Sequence, residues 1–396
     1  MTLFQREAPV LPESFVLAFR ASVRSVSFCH GHSSNCLVTS SLILWAQSGR
    51  ILLNLCLTGL ASGKRGIRCS TISGSIPGMS WWDQAKTSSN SLSRSAYDLV
   101  QGAHVRWSHI LGKSVGDPPP TAVLLHGILG CRKNWGTFAR RLAHEFPDWQ
   151  FLLVDLRCHG DSAAIKKRGP HTVASAALDI LKLLGKLKLT PRVVVGHSFG
   201  GKVALSMVDQ VAKPLARPVR VWVLDATPGN VRAGGDKEDH PFELISFLRT
   251  LPKQVASKRD VVVALERHGF SKDVAQWVVT NLRESSPPGS SPSSFSWVFD
   301  LNGIAEMYQS YEETSLWKIV EDVPRGVHVN FLKAERSLHR WALEDLQRIH
   351  VAEELAADVG GGVEMHVLED AGHWVHADNP DGLFKILSFS FQGVYK

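Results

Sequence analysis

A serine between glycines follows a run of valines in the stretch VVVGHSFGGKVAL, residues 193–205. The valines predict a central strand that is apolar on both faces, and residues 202–211 have the spacing of an amphipathic helix. A strand that turns into a helix through one residue lifts that side chain above the sheet, and the flanking glycines remove Cβ atoms that would clash. The helix N-terminus adds unpaired N–H groups and the positive end of its dipole. We therefore predict that Ser198 is a catalytic nucleophile; an ordinary structural turn is the alternative.

A serine hydroxyl is a weak nucleophile at neutral pH, so Ser198 needs a general base. The candidate is His373 in EDAGHWVHADNP, which follows the last predicted strand. Gly372 before it permits a close approach to the serine. His376 is the local competitor.

The base in turn needs a carboxylate that orients it. Asp225 follows the predicted strand Val219–Leu224 directly, in VLDATPG, and would face the same sheet edge as Ser198. Glu335 follows the next predicted strand, in FLKAERS, and is the alternative acid. We favour Asp225 because it needs no extra turn to face the site, whereas charged residues follow Glu335 and would place it towards solvent.

Acyl transfer also needs donors for an oxyanion, and backbone N–H groups supply them without reorganisation. Phe199, the residue after the nucleophile, supplies one. Ile128, in the HGILG turn after the first buried strand, supplies the other. The alternative for HGILG is an ordinary turn at a strand end.

From about Ala96 onward, strands alternate with helices, which predicts an α/β fold with a mostly parallel, doubly wound sheet. The segment AYDLVQGAHVRWSHI, residues 96–110, predicts an edge strand, or two strands with a turn at Gly102. Buried strands are predicted to begin at Ala122, Phe151, Val193, Val219, Val327 and Val363. Helices are predicted over 135–145, 173–187, 202–211 and 341–357, and from Pro380.

The composition is that of a globular protein with a sizeable core, since 44% of the 396 residues are hydrophobic and 20% are charged. The net charge of +7 is uneven: residues 1–82 hold seven Lys or Arg and two acids, and the rest holds 37 basic and 35 acidic residues. A nearly neutral body gives no electrostatic reason to expect nucleic acid as a partner. Its two cysteines, Cys131 and Cys158, form no disulfide framework and favour a reducing compartment. The spacing of His and Cys predicts no metal site and no cofactor.

The first 82 residues contain 14 serines and almost no acid, the composition of an organellar transit peptide. We predict that residues 1–95 are a transit peptide and flexible leader that directs the chain to a plastid or a mitochondrion. Serine content favours the plastid, and import of a fluorescent fusion of this segment would test the expectation. The apolar patches Leu37–Trp45 and Ile51–Leu60 are each too short to span a bilayer. No integral span is expected; an anchor is the alternative, and peripheral association and oligomeric state are left open.

Five segments, LLHGILG, DLRCHGDS, GHSFGG, LDATP and DAGHWVHADNP, occur in the order found in α/β-hydrolases. Residues 96–392 therefore resemble that family, and are most similar to a serine esterase branch with small bacterial acyl esterases and mitochondrial hydrolase-domain proteins. The resemblance implies the alpha/beta-hydrolase fold with a helical lid inserted after the sixth strand, and an acid after that strand, at Asp225. One departure is Cys158, where the branch usually has asparagine in a structural turn.

The predicted arrangement is a leader over 1–95, a first part of the hydrolase core over 96–228, a helical lid over 229–324 and a second core part over 325–396. The predicted function is a serine hydrolase that cleaves carboxylic ester or thioester bonds of a small to medium apolar acyl substrate through an acyl-enzyme. The alternatives are a ligand receptor or non-catalytic binding protein, and a C–C hydrolase or acyltransferase on the same triad. The candidate substrate-binding residues are His126, His197, Phe247, Trp277 and Trp297, with Phe242, Leu244, Leu248 and Phe299 as further lid candidates.

Overall fold

The computed structural model describes residues 41–47, 50–56, 70–72, 95–110, 118–167, 169–210, 219–231, 239–285, 294–337, 341–356 and 362–392. The chain divides into two compact units, Met1–Trp81 and Trp82–Lys396. In the first unit the described residues form an antiparallel sheet of β1 (Ser41–Gln47), β2 (Arg50–Cys56) and β3 (Ser70–Ile72). The rest of the predicted leader lies outside the described residues, and the targeting role stays a prediction.

A seven-stranded sheet forms the centre of the second unit. The strands of this unit are β4 Tyr97–Gln101, β5 Thr121–Leu125, β6 Gln150–Val154, β7 Pro191–His197, β8 Val219–Leu224, β9 Gln254–Val255, β10 Leu282–Glu284, β11 Phe295–Trp297, β12 Val327–Ala334 and β13 Gly362–Leu368. The central sheet has the order β13-β12-β8-β7-β5-β6-β4, and β4 is its only antiparallel member. The predicted mostly parallel sheet is confirmed.

Helices cover both faces of this sheet. They are α1 Ala103–Ile110, α2 Gly136–Glu145, α3 Val173–Leu187, α4 Phe199–Gln210, α5 Pro241–Thr250, α6 Lys258–His268, α7 Lys272–Val278, α8 Leu301–Glu313, α9 Trp317–Glu321, α10 Leu343–Ala356, α11 Val375–Asp378 and α12 Pro380–Ser388. Alternate residues of each strand enter opposite cores: Val123 packs with α3 and α4, and Leu124 packs with α2 and α12. A strand that is apolar on both faces can be buried in this way. Among the helices in the described ranges, none is long and apolar enough to cross a bilayer.

The segment predicted as one or two edge strands contains one strand and one helix. The Gly102 N–H donates to the Trp149 carbonyl at 2.9 Å, and a Cβ at Gly102 would lie 2.2 Å from the Pro147 carbonyl oxygen. The chain leaves the sheet at this glycine and enters α1, so the two-strand alternative is wrong. Within the part of the chain that is described, β8 is the fifth strand of the central sheet in chain order.

Five helices, α5 to α9, lie between β8 and β12. They are accompanied by a small antiparallel sheet of order β10-β11-β9, which the sequence did not predict. We call residues 239–321 the insert. Its helices begin at side-chain caps: the Ser257 hydroxyl accepts from the Asp260 N–H, and the Asp300 carboxylate accepts from the Gly303 N–H.

Candidate active site

Ser198 is the single residue between β7 and α4. Its φ of 52° lies in the left-handed region, and its N–H donates to the Leu224 carbonyl at 2.8 Å. A Cβ at Gly196 would lie 2.1 Å from the Gly200 carbonyl oxygen, so only glycine permits this close approach. The strand, the turn and the helix thus place the Ser198 side chain at the carboxyl edge of the sheet, as predicted, with 7% of the residue exposed.

His373 follows β13 and reaches the acid predicted for it. Its Nδ1 lies 2.7 Å from Oδ2 of Asp225, whose side chain is completely buried. The His373 side chain is 35% exposed, and its backbone carbonyl accepts a hydrogen bond from Nε2 of His197 at 2.7 Å. Asp225 engages Nδ1 of His373, and Ser198 lines the same cavity as this imidazole.

Further donors hold the Asp225 carboxylate in place. Oδ1 accepts from the Ala334 N–H at 3.1 Å and from Nε1 of Trp341 at 3.2 Å, and Oδ2 accepts from the Ser337 hydroxyl. Donors of this kind stabilise the ionised carboxylate and fix the oxygen that faces the imidazole. These donors come from the last residue of β12 and from the segment after it, and nothing in the local sequence indicated this role.

Glu335, the alternative acid, lies elsewhere. Its Oε2 accepts from the Asp370 N–H at 2.9 Å in an exposed turn, and its own N–H donates to the Leu368 carbonyl. The carboxylate therefore closes the turn after β13. The structure brings Asp225, and not Glu335, to His373.

The competitor His376 lies in the cavity wall but has no carboxylate. Its ring centroid is 5.3 Å from that of His197 and 4.8 Å from that of Trp135. Burial lowers the pKa of His376 to about 4, and its Nδ1 has no hydrogen-bond partner among the described residues. His376 is therefore a neutral wall residue and a poorer base than His373.

The two predicted substrate-binding histidines also line the cavity, but their ring nitrogens are engaged within the protein. In His126, Nδ1 donates to the Gly127 carbonyl at 2.8 Å and Nε2 accepts from the Leu156 N–H at 3.0 Å. Burial lowers the pKa of His126 to about 4 and also lowers the pKa of His197. His126 can therefore offer a substrate only its ring surface, while Nε2 of His197 is committed to holding the His373 backbone.

The predicted oxyanion donors belong to two separate segments that line the cavity of Ser198. Phe199 is the first residue of α4, so its N–H has no acceptor within the helix. Ile128 lies in the turn that the Gly130 N–H and the Gly127 carbonyl close at 3.1 Å. Both residues line the cavity. Among the described residues no acceptor takes either N–H, so both remain available to an anionic oxygen.

One cavity of about 570 Å³ contains these groups. A volume of this size suits a small or medium organic ligand. The insert supplies much of the apolar wall, through Leu244, Val274, Trp277, Tyr308 and Tyr311. The predictions that Trp277 and Leu244 contribute to the wall agree with this geometry.

The other aromatic candidates of the insert do not reach the cavity. The Phe247 ring stacks on His268, with centroids 4.2 Å apart, and Trp297 stacks on Phe299. Phe242 is 52% exposed, and Leu248 is buried in the core. In the structure the Phe247 and Trp297 rings are engaged in these stacks and are not part of the cavity wall.

The sequence analysis missed Lys202, which joins the nucleophile helix to the insert. Its Nζ is fully buried and donates to the carbonyls of Gly229, Tyr311 and Thr314 at 2.6, 2.6 and 2.9 Å. Nζ also lies 4.4 Å from the centroid of the Tyr311 ring. Burial lowers the pKa of Lys202 to about 7, whereas the three carbonyls and the ring face stabilise the ammonium form. The sequence contained one indication of this role, because Lys202 is a charged residue within the apolar stretch of the predicted helix over 202–211.

Tyr311 was also missed. Its hydroxyl lies beside the Ser198 side chain, and burial raises its pKa, so the group remains a protonated donor. No described group completes a hydrogen bond with this oxygen. Lys202 and Phe199, whose ring centroid is 5.8 Å away, hold the tyrosine ring. A buried hydroxyl without a partner is unusual and is expected to find one in the ligand or solvent of the cavity.

The described residues contain one group of three potential metal ligands, Cys158, His171 and Asp300. It lies outside the walls of this cavity. The three residues are far apart in the sequence, so spacing could not reveal them.

Known proteins are similar to this chain in sequence and in fold. The sequence profile described as "Alpha/beta hydrolase family" matches residues 122–386. The sn-1-specific diacylglycerol lipase ABHD11 of Xenopus laevis is 25% identical over 291 residues, which cover 72% of this chain and 79% of that protein. Esterase YbfF of Escherichia coli is 23% identical over 270 residues, 67% of this chain and 90% of that protein. A solved marine microorganism esterase superposes with a TM-score of 0.56 at 20% identity and covers 75% of this chain and 98% of the esterase chain.

Proposed function

This chain belongs to the alpha/beta hydrolase family, and we propose that it is a serine esterase acting on carboxylic esters or thioesters of small to medium apolar acyl groups. The observation that carries the proposal is the Asp225–His373 pair, which opens into the same cavity as the elbow residue Ser198. A relative named as an esterase and another named as a lipase support an ester-cleaving reaction.

The reaction proceeds through an acyl-enzyme. Oγ of Ser198 attacks the carbonyl carbon while Nε2 of His373 takes the hydroxyl proton, and the Asp225 carboxylate stabilises the imidazolium. The N–H groups of Ile128 and Phe199 stabilise the oxyanion. His373 then returns the proton to the leaving alcohol or thiol. A water molecule, activated by the same imidazole, hydrolyses the acyl-enzyme and restores Ser198.

The wall of the cavity supports the proposed substrate class. Leu244, Val274 and Trp277 offer an apolar surface for an acyl chain, while donors and acceptors concentrate around Ser198. A series of acyl esters and acyl-CoA thioesters of graded chain length tests the proposal. Turnover of short and medium acyl groups is expected, and absence of turnover across both series would contradict it.

Tyr311→Phe tests whether the tyrosine hydroxyl donates to a substrate oxygen beside Ser198. We expect kcat/KM to fall about tenfold, the size of one lost hydrogen bond. The melting temperature should stay level or rise, because the change removes a buried hydroxyl that has no protein partner. Ester hydrolysis and thermal unfolding measure the two effects.

The matched control is Tyr308→Phe, one helical turn earlier on the same wall. Its kcat/KM should stay close to the wild-type value. An unchanged kcat/KM in Tyr311→Phe, or an equal loss in both variants, would assign the Tyr311 hydroxyl no specific role.

A further inference from the structure

Three potential metal ligands from separate segments meet where the sheet joins the insert. Cys158 lies in the turn after β6, His171 precedes α3, and Asp300 is the residue that caps α8. Sγ of Cys158 lies 3.3 Å from Nδ1 of His171, and one ligand atom from each of the three residues lies within 4.8 Å of the others. The Asp300 N–H donates to the Cys158 carbonyl at 2.9 Å, so the backbone also holds this group together.

The helix that Asp300 caps leaves room for the thiol. A Cβ at Gly303 would lie 2.4 Å from Sγ of Cys158, so the glycine is what allows the sulfur to approach α8. Oδ1 of Asp300 accepts from the Gly303 N–H at 3.2 Å. The second carboxylate oxygen of Asp300 takes no part in this cap. It lies on the same side of α8 as Sγ of Cys158.

Charged side chains of both signs surround the group. Burial, and then the charge of Asp300 with a smaller contribution from Glu306, raises the pKa of Cys158 to about 12. Two neighbouring cations, Arg157 and Lys167, are both paired with Asp179. Arg157 and Lys167 partly offset the effect of Asp300 and Glu306 on the Cys158 thiol.

We propose that Cys158, His171 and Asp300 bind one divalent transition-metal ion, with Zn²⁺ as the best fit. A thiolate, an imidazole and a carboxylate are the donors that Zn²⁺ combines. Metal–ligand bonds of about 2.0–2.3 Å around a tetrahedral ion need ligand atoms about 3.3–3.8 Å apart. The distance of 3.3 Å between Sγ of Cys158 and Nδ1 of His171 lies in this range, and all three ligand atoms lie within 4.8 Å of one another. As the Zn–S bond forms, the thiol proton passes to solvent, and water occupies the fourth position.

The half-buried His171 and the exposed Asp300 give the ion a path from solvent. Once bound, it joins the turn after β6 to the N-terminus of α8. That helix carries Tyr308 and Tyr311 to the cavity wall, so the ion stabilises the docking of the insert. This role does not depend on which ester the enzyme cleaves, and it can be tested without an activity measurement.

Cobalt titration tests the proposal, because a thiolate bound to Co²⁺ gives a near-ultraviolet charge-transfer band that imidazole and carboxylate ligands do not give. The parent protein is the full chain with Cys29, Cys36, Cys56 and Cys69 changed to serine, which leaves two thiols. One equivalent of Co²⁺ should produce the band, and Zn²⁺ should displace it. Zn²⁺ should also raise the melting temperature of the metal-free parent.

Three variants locate the site. Cys158→Ser should abolish the band, and Asp300→Asn, which retains an acceptor for the Gly303 N–H, should weaken Co²⁺ binding by about tenfold or more. Cys131→Ser is the matched control and should retain the band and the affinity. Absence of the band in the parent, its loss in Cys131→Ser, or unchanged affinity in Asp300→Asn would overturn the proposed site. Because Asp300 is exposed, Asp300→Asn is expected to fold. It therefore tests the site even if Cys158→Ser unfolds.

Discussion

Replacing Ser198 with alanine is expected to lower kcat for ester hydrolysis by about 10⁶-fold, the loss found when the nucleophile of a serine protease is removed. The oxyanion donors and the cavity remain, so only the background that they support, about 10³- to 10⁴-fold above water, should persist. The melting temperature should change little, because alanine fits the same elbow. Hydrolysis of the ester series and thermal unfolding measure the two quantities.

Ser206→Ala is the matched control, since Ser206 is a second buried serine on α4 and bonds Gln210 instead of lining the cavity. It should keep wild-type turnover. A fluorophosphonate probe should label the wild-type protein and Ser206→Ala but not Ser198→Ala. Lack of labelling in all three proteins would favour a ligand receptor or binding protein. Residual turnover in Ser198→Ala above one thousandth of the wild-type value would refute the assignment of Ser198 as the nucleophile.

The second large effect is expected at Asp225. In Asp225→Asn the amide keeps the shape of the carboxylate but no longer holds His373 in the tautomer that accepts the serine proton, and such a change costs about 10⁴ in turnover. Both kcat and kcat/KM should fall, because the lost interaction acts in the transition state. The measurement is hydrolysis of one small ester well below saturation.

Glu335→Gln is the comparison, because its amide oxygen can still accept from the Asp370 N–H. Turnover should fall by about tenfold or less, since a screened surface charge acts weakly at a distance. Loss of activity in Glu335→Gln with near-normal activity in Asp225→Asn would place the acid after β12 and contradict the geometry of the site.

Local patterns in the sequence were sufficient to predict the strands and the helix that position the site. The valines before Gly196, the apolar helix after Ser198 and the strand before Asp225 are continuous segments, and each was predicted within a few residues of its observed bounds. Parallel strands end at one edge of a sheet, so residues that directly follow them are brought together by strand order alone. That is why Ser198, Asp225 and His373 could be grouped without any knowledge of packing.

The tertiary structure alone decided the wall of the cavity and the contacts that hold the acid. Trp277 and Phe247 are similar apolar residues of the insert, yet one lines the cavity and the other stacks on His268. The tilt of each insert helix depends on packing against distant segments, and helical periodicity gives an apolar face without naming its partner.

Dependence on packing against distant segments also explains why the sequence did not predict two clusters of polar residues. Lys202 reaches carbonyls on two other segments, Gly229 and the end of α8. Cys158 meets Asp300 because α8 docks beside the turn after β6, and it meets His171 because the segment before α3 packs there. These contacts join residues more than ten positions apart without a shared strand edge, so neither periodicity nor spacing encodes them. The sequence by itself determined which residues follow the strands, and the packing of the insert decided which other side chains surround them.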